Sequence, residues 1–133
     1  MISKSSKIYV AGHKGMVGSA TVRKLQKEGF NNLIFKTSKE LDLRNQSLVD
    51  KFTAKEKPDL IIDAAAIVGG IWANNKYPFK FLMDNMQIQN NLINAAVKNK
   101  VKNFIFLGSS CIYPRDAKQP LKEEYLLISS LES

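Results

Sequence analysis

Ile8-Tyr9-Val10-Ala11-Gly12-His13-Lys14-Gly15-Met16-Val17-Gly18 is the stretch that decides the fold. An apolar run enters three glycines spaced three apart, and a helical pattern from Met16 to Glu28 leaves them, with Val17, Ala20, Val22 and Leu25 among its apolar positions. Strand, glycine turn and helix start, in that order, hold a dinucleotide pyrophosphate. Gly12 permits the tight turn off the strand. Gly15 removes a side chain where backbone must approach phosphate, and Gly18 lets the helix pack close to the sheet. His13, Lys14, Met16 and Val17 complete the loop, and the free N–H groups of the helix's first turn face the anion. A strand-turn-helix without a ligand is the alternative reading. A P-loop is excluded, because no Gly-Lys-Ser/Thr follows the turn.

The rest of the chain repeats the alternation. Gly29 stops the first helix. A second strand covers Asn32–Lys36. Asn45 caps a helix from about Gln46 to Lys55, and Pro58 marks its end. Asp59–Asp63 is a third strand, followed by the small residues Ala64-Ala65-Ala66 and then Ile67-Val68-Gly69-Gly70. A long helix runs from Pro78 to about Asn99, with Pro78 in its first turn. Asn103–Leu107 is a fourth strand, and Gly108 to Ser133 reads mostly as loop. Continuous apolar strands imply a parallel sheet covered on both faces. The expectation is a single α/β domain over residues 1–133, a Rossmann-like doubly wound sheet of about four strands in the order 3-2-1-4. On the long helix, Phe79, Leu82, Met83, Met86, Ile93, Ala96 and Val97 form the expected core stripe. Ile88 and Leu92 lie partly off it, and a second apolar patch would serve a dimer contact.

Composition narrows the classes. The 133 residues are 44% hydrophobic, which fits a globular domain. No apolar run approaches the ~20 residues of a membrane span. Met1–Ser6 is polar and does not read as a signal peptide. With Cys111 the single cysteine and His13 the single histidine, neither an internal disulfide nor a zinc site of the usual kind can form, and a cytoplasmic setting is expected. The net charge is +8, but the lysines are scattered and no aromatic-basic motif accompanies them. A solvated surface comes first among the readings, a phosphate-rich small ligand second and nucleic acid last.

The end of strand two speaks to the cofactor. An acidic residue there would hold an adenosine ribose 2′-hydroxyl. This chain has Lys36-Thr37-Ser38-Lys39, with no carboxylate before Glu40. Two ammonium groups and two hydroxyls suit a 2′-phosphate, so NADP is favoured over NAD; a polar turn with solvent-facing lysines would look the same. Asp42 and Leu43 can reach the adenine side. Ala64, Ala65 and Ala66 leave room for the cofactor at the switch point. Strand four delivers Gly108-Ser109-Ser110-Cys111-Ile112-Tyr113-Pro114 at the edge where ligands sit in open α/β sheets. A Ser109 hydroxyl can bond a substrate carbonyl and Cys111 can act as acid or base. Read alone, a turn serine and a small buried cysteine come first among the readings of these residues.

The chain resembles the GDP-L-fucose synthases, NADP-dependent GDP-4-keto-6-deoxy-D-mannose epimerase/reductases of the extended short-chain dehydrogenase group. The resemblance is carried by Ala11 through Ala20, Ala64-Ala65-Ala66 with Val68-Gly69-Gly70-Ile71, Ala73-Asn74-Asn75 with Tyr77-Pro78, and Leu107 through Pro114. It implies epimerisation of a 4-keto sugar nucleotide at C3 and C5, then reduction at C4 by NADPH. It gives Ser109 the role of polarising the keto oxygen and Cys111 a role in proton transfer. Gly12 through Gly18 become the pyrophosphate loop, and Leu107, Gly108, Ser109 and Ser110 a further cofactor contact. The implied partners are a GDP-sugar and a second copy of the chain, with no nucleic acid and no membrane. Some members carry arginine where this chain has Ser38, so Lys36, Lys39 or Lys14 must take its place.

The family's reduction uses a Tyr-x-x-x-Lys pair. Four residues after Tyr9, Tyr77, Tyr113 and Tyr125 stand His13, Phe81, Ala117 and Ser129, none a lysine. The expectation is that the pair falls beyond Glu132, and that the 133-residue chain alone binds NADP weakly and does not turn over. The reading from a different class is a dinucleotide-binding or interaction module without chemistry.

Overall fold

Ile8-Tyr9-Val10-Ala11 (β1) and Leu60-Ile61-Ile62-Asp63 (β3) are buried at every position, as strands covered on both faces must be. The computed structural model describes residues 1–126; the last part of the expected Gly108–Ser133 loop lies outside the described residues. In the described part, β2 is Leu33–Ile34 and β4 is Asn103–Phe106, and all strand pairings are parallel. The helices are α1 (Met16–Lys27), α2 (Gln46–Glu56), α3 (Ile71–Lys76) and α4 (Pro78–Lys98).

The strand order is β2-β1-β3-β4, which corrects the expected 3-2-1-4. The chain does not keep moving outward after β2. It crosses back over β1, and Ile8 pairs Leu33 on one side and Leu60 on the other. Right-handed crossovers then send α1 to one face and α2 with α4 to the opposite one. The packing agrees. Ile8, Val10, Leu60 and Ile62 pack against Val22 and Leu25 of α1. Tyr9, Ala11 and Ile61 form one cluster with Val49 of α2 and with Ile88, Leu92, Ala95 and Ala96 of α4.

Local signals explain the element ends. Asn45 Oδ1 accepts the Leu48 N–H at 3.1 Å, capping α2. Gly29, at φ +85°, ends α1, and the Phe30 N–H returns to the Leu25 carbonyl at 3.0 Å. β2 is shorter than the expected Asn32–Lys36, because Phe35 leaves the pairing and its ring lies 5.1 Å from that of His13. α3 has six residues, too few to show a period in sequence.

The core face of α4 also needs correction. Ile88, Asn91, Leu92, Ala95 and Ala96 are buried, whereas Phe79, Leu82, Met83, Met86, Ile93 and Val97 are exposed. Of the expected stripe only Ala96 faces the core. The helix is apolar on two sides, and the sheet takes the side with small residues, which lets the backbones approach.

Candidate functional site

β1 and β3 are neighbours whose connections leave in opposite directions, so a crevice opens at their carboxyl ends. Two glycines are there for packing. A Cβ on Gly12, which has φ +75°, would lie 2.4 Å from the Ala64 carbonyl oxygen, and a Cβ on Gly18 would lie 2.2 Å from that of Gly12. Gly15 is different: its Cβ would meet only the Gly12 oxygen, at 3.3 Å, so this position stays open toward the crevice. The Gly15 N–H is taken by the Gly12 carbonyl at 2.8 Å. The donors left at the start of α1 are therefore the N–H groups of Met16, Val17 and Gly18. No acidic side chain stands in that first turn, so the positive end of the helix is uncompensated.

A cavity of about 750 Å³ runs from this turn past the end of β2, lined by Gly12, His13, Lys14, Gly15, Lys36, Thr37, Ser38, Lys39, Leu41, Asp42, Leu43, Arg44 and Ala64 through Ile67. The 36–40 turn is held from behind by Glu40, whose Oε2 accepts the Thr37 N–H at 2.8 Å and its hydroxyl at 2.7 Å. These bonds hold the Glu40 carboxyl below the usual range. Lys36 Nζ reaches Glu40 at 3.9 Å, whereas Lys14 and Lys39 pair with no carboxylate among the described residues. Asp42 is gripped by Arg44 through two bonds of 2.9 Å, which hold its carboxyl low, and Arg44 continues to Asp84 of α4 at 3.5 Å.

A smaller cavity of about 260 Å³ adjoins the first, lined by Val17, Asp63, Ala64, Ala65, Ala66, Asn85, Gln89, Phe106, Leu107 and Gly108. The two cavities thus gather most of the expected cofactor residues. Met16 is exposed and Gly18 buried beneath Gly12, and neither lines a cavity. Ser109, Ser110 and Cys111 also stand outside both and are exposed. Ser109 Oγ accepts the Cys111 N–H at 3.1 Å and so caps the single 3-10 turn Ser110–Ile112. That turn places serine and cysteine together at the end of β4, on the same crevice edge.

Sequence reasoning missed the residues that hold the loops. Asn85 bonds both backbone groups of Ile67, at 2.7 and 2.9 Å. Asn91, buried, donates to the Leu43 carbonyl at 2.8 Å. One helix therefore fixes the loops on both sides of the crevice. The available signal was polar asparagine on the inner side of an apolar helix.

Comparison with known proteins agrees with this geometry. The chain is 58% identical over 132 residues to GDP-L-fucose synthase 1 of Arabidopsis thaliana, covering 99% of this chain and 41% of that protein. It is 49% identical over 126 residues to GDP-L-fucose synthase of Escherichia coli K12, covering 95% and 39%. The chain therefore spans about 40% of the length of these curated relatives. Among solved structures, a GDP-mannoheptose C4 reductase from Campylobacter jejuni with NADP bound superposes with a TM-score of 0.91 at 48% identity, over 99% of this chain and 42% of that one. A GDP-L-fucose synthetase from Naegleria fowleri bound to NADP gives 0.80 at 30% identity, over 96% and 38%. Residues 8–132 match the model of the NAD dependent epimerase/dehydratase family, and the chain belongs to that family.

Proposed function

We propose that this chain is the NADP-binding portion of a GDP-sugar epimerase/reductase of the GDP-L-fucose synthase type. The observation that carries the reading is the continuity of one cavity, from the uncompensated start of α1 to the Lys36–Lys39 turn. The pyrophosphate rests on the free amides of Met16, Val17 and Gly18. The adenosine lies over Ser38, Asp42 and Leu43, and Lys14, Lys36 and Lys39 receive the 2′-phosphate. Ala64, Ala65 and Ala66 allow backbone to approach the middle of the cofactor, while Leu107 and Gly108 border its far end.

When bound, NADPH supplies the hydride that reduces C4 of the 4-keto sugar. The Ser109 hydroxyl donates to the keto oxygen, which both polarises the carbonyl and acidifies the neighbouring C–H bonds. Cys111, two residues on and free, exchanges protons at C3 and C5. The exposed α4 stripe of Phe79, Leu82, Met83 and Met86 is the surface for a second copy. No helix among the described residues is long and apolar enough to cross a membrane.

Calorimetric titration of the chain with NADP and with NAD tests the reading. Saturable binding is expected, tighter for NADP by about tenfold or more, as lysines facing a phosphate in a partly enclosed site require. Equal affinity for the two would remove the 2′-phosphate assignment, and no binding of either would remove the dinucleotide site.

A further inference from the structure

Asp63, the last residue of β3, lines the smaller cavity and is 2% exposed. Its Oδ1 accepts the Ala65 N–H at 3.0 Å, while its Oδ2 is buried without a hydrogen-bond partner. Its register partners are Ala11 on β1 and Phe106 on β4, neither able to satisfy it by side chain. A buried carboxylate oxygen left unpaired is costly and uncommon in native proteins.

The surroundings offer no compensating charge. α4 presents Asn85, already committed to Ile67, and Gln89; α1 presents Val17; the following loop presents alanines. Among the described residues lining this cavity no other side chain titrates and none is cationic. The titratable neighbour is Tyr9 of β1, whose phenol is pushed up by burial and then by the Asp63 charge. Burial lifts the Asp63 carboxyl to about 6. The carboxyl is therefore ionised at neutral pH beside a cavity whose described lining holds no cation.

The step from here rests on the reading of the crevice as a dinucleotide site. With the adenosine over the Lys36–Leu43 side and the pyrophosphate on α1, the nicotinamide end reaches the smaller cavity. That ring is cationic when oxidised and neutral when reduced. A nearby buried carboxylate attracts the first and is indifferent to the second. We propose that Asp63 is a cofactor-selecting residue, its ionised carboxylate favouring the oxidised, cationic nicotinamide over the reduced, neutral one.

The test is titration of the 133-residue chain with NADP⁺ and NADPH at pH 5 and pH 8, for wild type, Asp63→Asn and Asp63→Leu. Asparagine keeps the bond from the Ala65 N–H, and leucine suits the apolar strand end, so at least one variant folds. In the wild type the preference for NADP⁺ over NADPH rises by at least about threefold between pH 5 and pH 8. In both variants the preference stays level. By reciprocity, NADP⁺ binding near pH 6 releases more protons from the wild type than from Asp63→Asn, in which only the 2′-phosphate loses protons. A wild-type preference that does not move with pH, or one that moves equally in Asp63→Asn, overturns the assignment. Failure of the wild type to bind either form overturns the dinucleotide reading beneath it, and is recognised by the absence of any saturable signal.

Discussion

Asn85 closes a two-bond ring on the backbone of Ile67: its Oδ1 accepts the Ile67 N–H at 2.7 Å and its Nδ2 donates to the Ile67 carbonyl at 2.9 Å. A loop of alanines carries little to hold it in place, so this ring sets where Ala64 to Ile67 stand against the crevice. Asn85→Ala leaves both backbone groups without their partner. The expected loss of stability is about 1–3 kcal/mol, read as a lower urea midpoint. Hydrogen exchange at the Ile67 amide should accelerate while that at Ile61, in the centre of the sheet, follows only global unfolding. Equal protection at both amides in the variant would show that the ring does not hold the loop.

The glycines divide by what surrounds them. Gly12→Ala and Gly18→Ala place a Cβ 2.4 and 2.2 Å from backbone oxygens, and Gly12 adds φ +75°. Each should cost about 1–3 kcal/mol or more and abolish nucleotide binding with the turn. Gly29→Ala meets nothing within 4 Å and carries only the penalty of φ +85°, about 1–2 kcal/mol, without effect on binding. Gly15→Ala is the informative case. Its contact at 3.3 Å is tight but single, so the domain folds, and the methyl group intrudes where phosphate approaches. Thermal melts and NADP titration of the four variants separate the roles; undiminished NADP binding by Gly15→Ala would contradict the phosphate loop.

The glycine spacing and the continuous apolar strands made the sheet, its parallel sense and the glycine turn from β1 into α1 legible, because each is a local requirement written in adjacent residues. Strand order was not. Whether the chain moves outward after β2 or returns across β1 depends on which face α2 buries, and α2 packs on α4 through residues some forty positions away. The face of α4 was misread for a related reason. Both sides are apolar, so helical spacing fits Phe79, Leu82 and Met86 as readily as the Leu92, Ala95 and Ala96 that the sheet accepts. The site was legible where backbone geometry demanded a residue type. It was hidden where one side chain serves another loop, as with Asn85, Asn91 and the Arg44 grip on Asp42.

Asp63 also predicts how stability follows pH. Its folded-state pKa, about 6, lies above the unfolded carboxylate value of 3.8. Between those values the folded state binds more protons than the unfolded one, so stability falls as pH rises and is lowest, on this account, above about pH 6. The shift corresponds to about 2–3 kcal/mol. The exposed carboxylates Glu28 and Glu40 and the half-buried Asp42 and Asp84 are lowered by their hydrogen-bond and ion-pair partners, first among them Lys24, Thr37, Arg44 and Lys80. They act oppositely, contributing above their unfolded values and losing that contribution as pH falls. Urea denaturation of Asp63→Asn should therefore show a gain over wild type at pH 7–8 that vanishes near pH 4. A gain of equal size at both pH values would mean that the ionised carboxyl is not what costs stability.

The Lys36–Lys39 turn carries its charge without a packing role that would confound mutation. Lys39 is exposed and Lys36 half-buried, its only close carboxylate among the described residues being Glu40 at 3.9 Å. Lys36→Ala with Lys39→Ala should lower NADP affinity about tenfold or more and leave NAD nearly unchanged. It should also flatten the dependence of NADP binding on salt, since exposed charges are screened. Parallel losses for NADP and NAD would place these lysines on the pyrophosphate or on the fold, not on the 2′-phosphate.

The exposed side of α4 offers the last test. Phe79, Leu82, Met83 and Met86 lie along one stripe, with Phe79 75% and Leu82 59% exposed. A contiguous apolar patch on a helix marks an interaction surface more often than isolated exposed residues do. If a second copy covers it, Leu82→Lys with Met86→Lys places two charges at the centre of an isologous contact, where each meets its symmetry mate. Sedimentation at tens of micromolar should then show a dimer for the wild type and a monomer for the double variant. The monomer's own stability should change little, within about 0.5 kcal/mol, because neither side chain is in the core. A monomeric wild type across that range would remove the second copy as the occupant of this face.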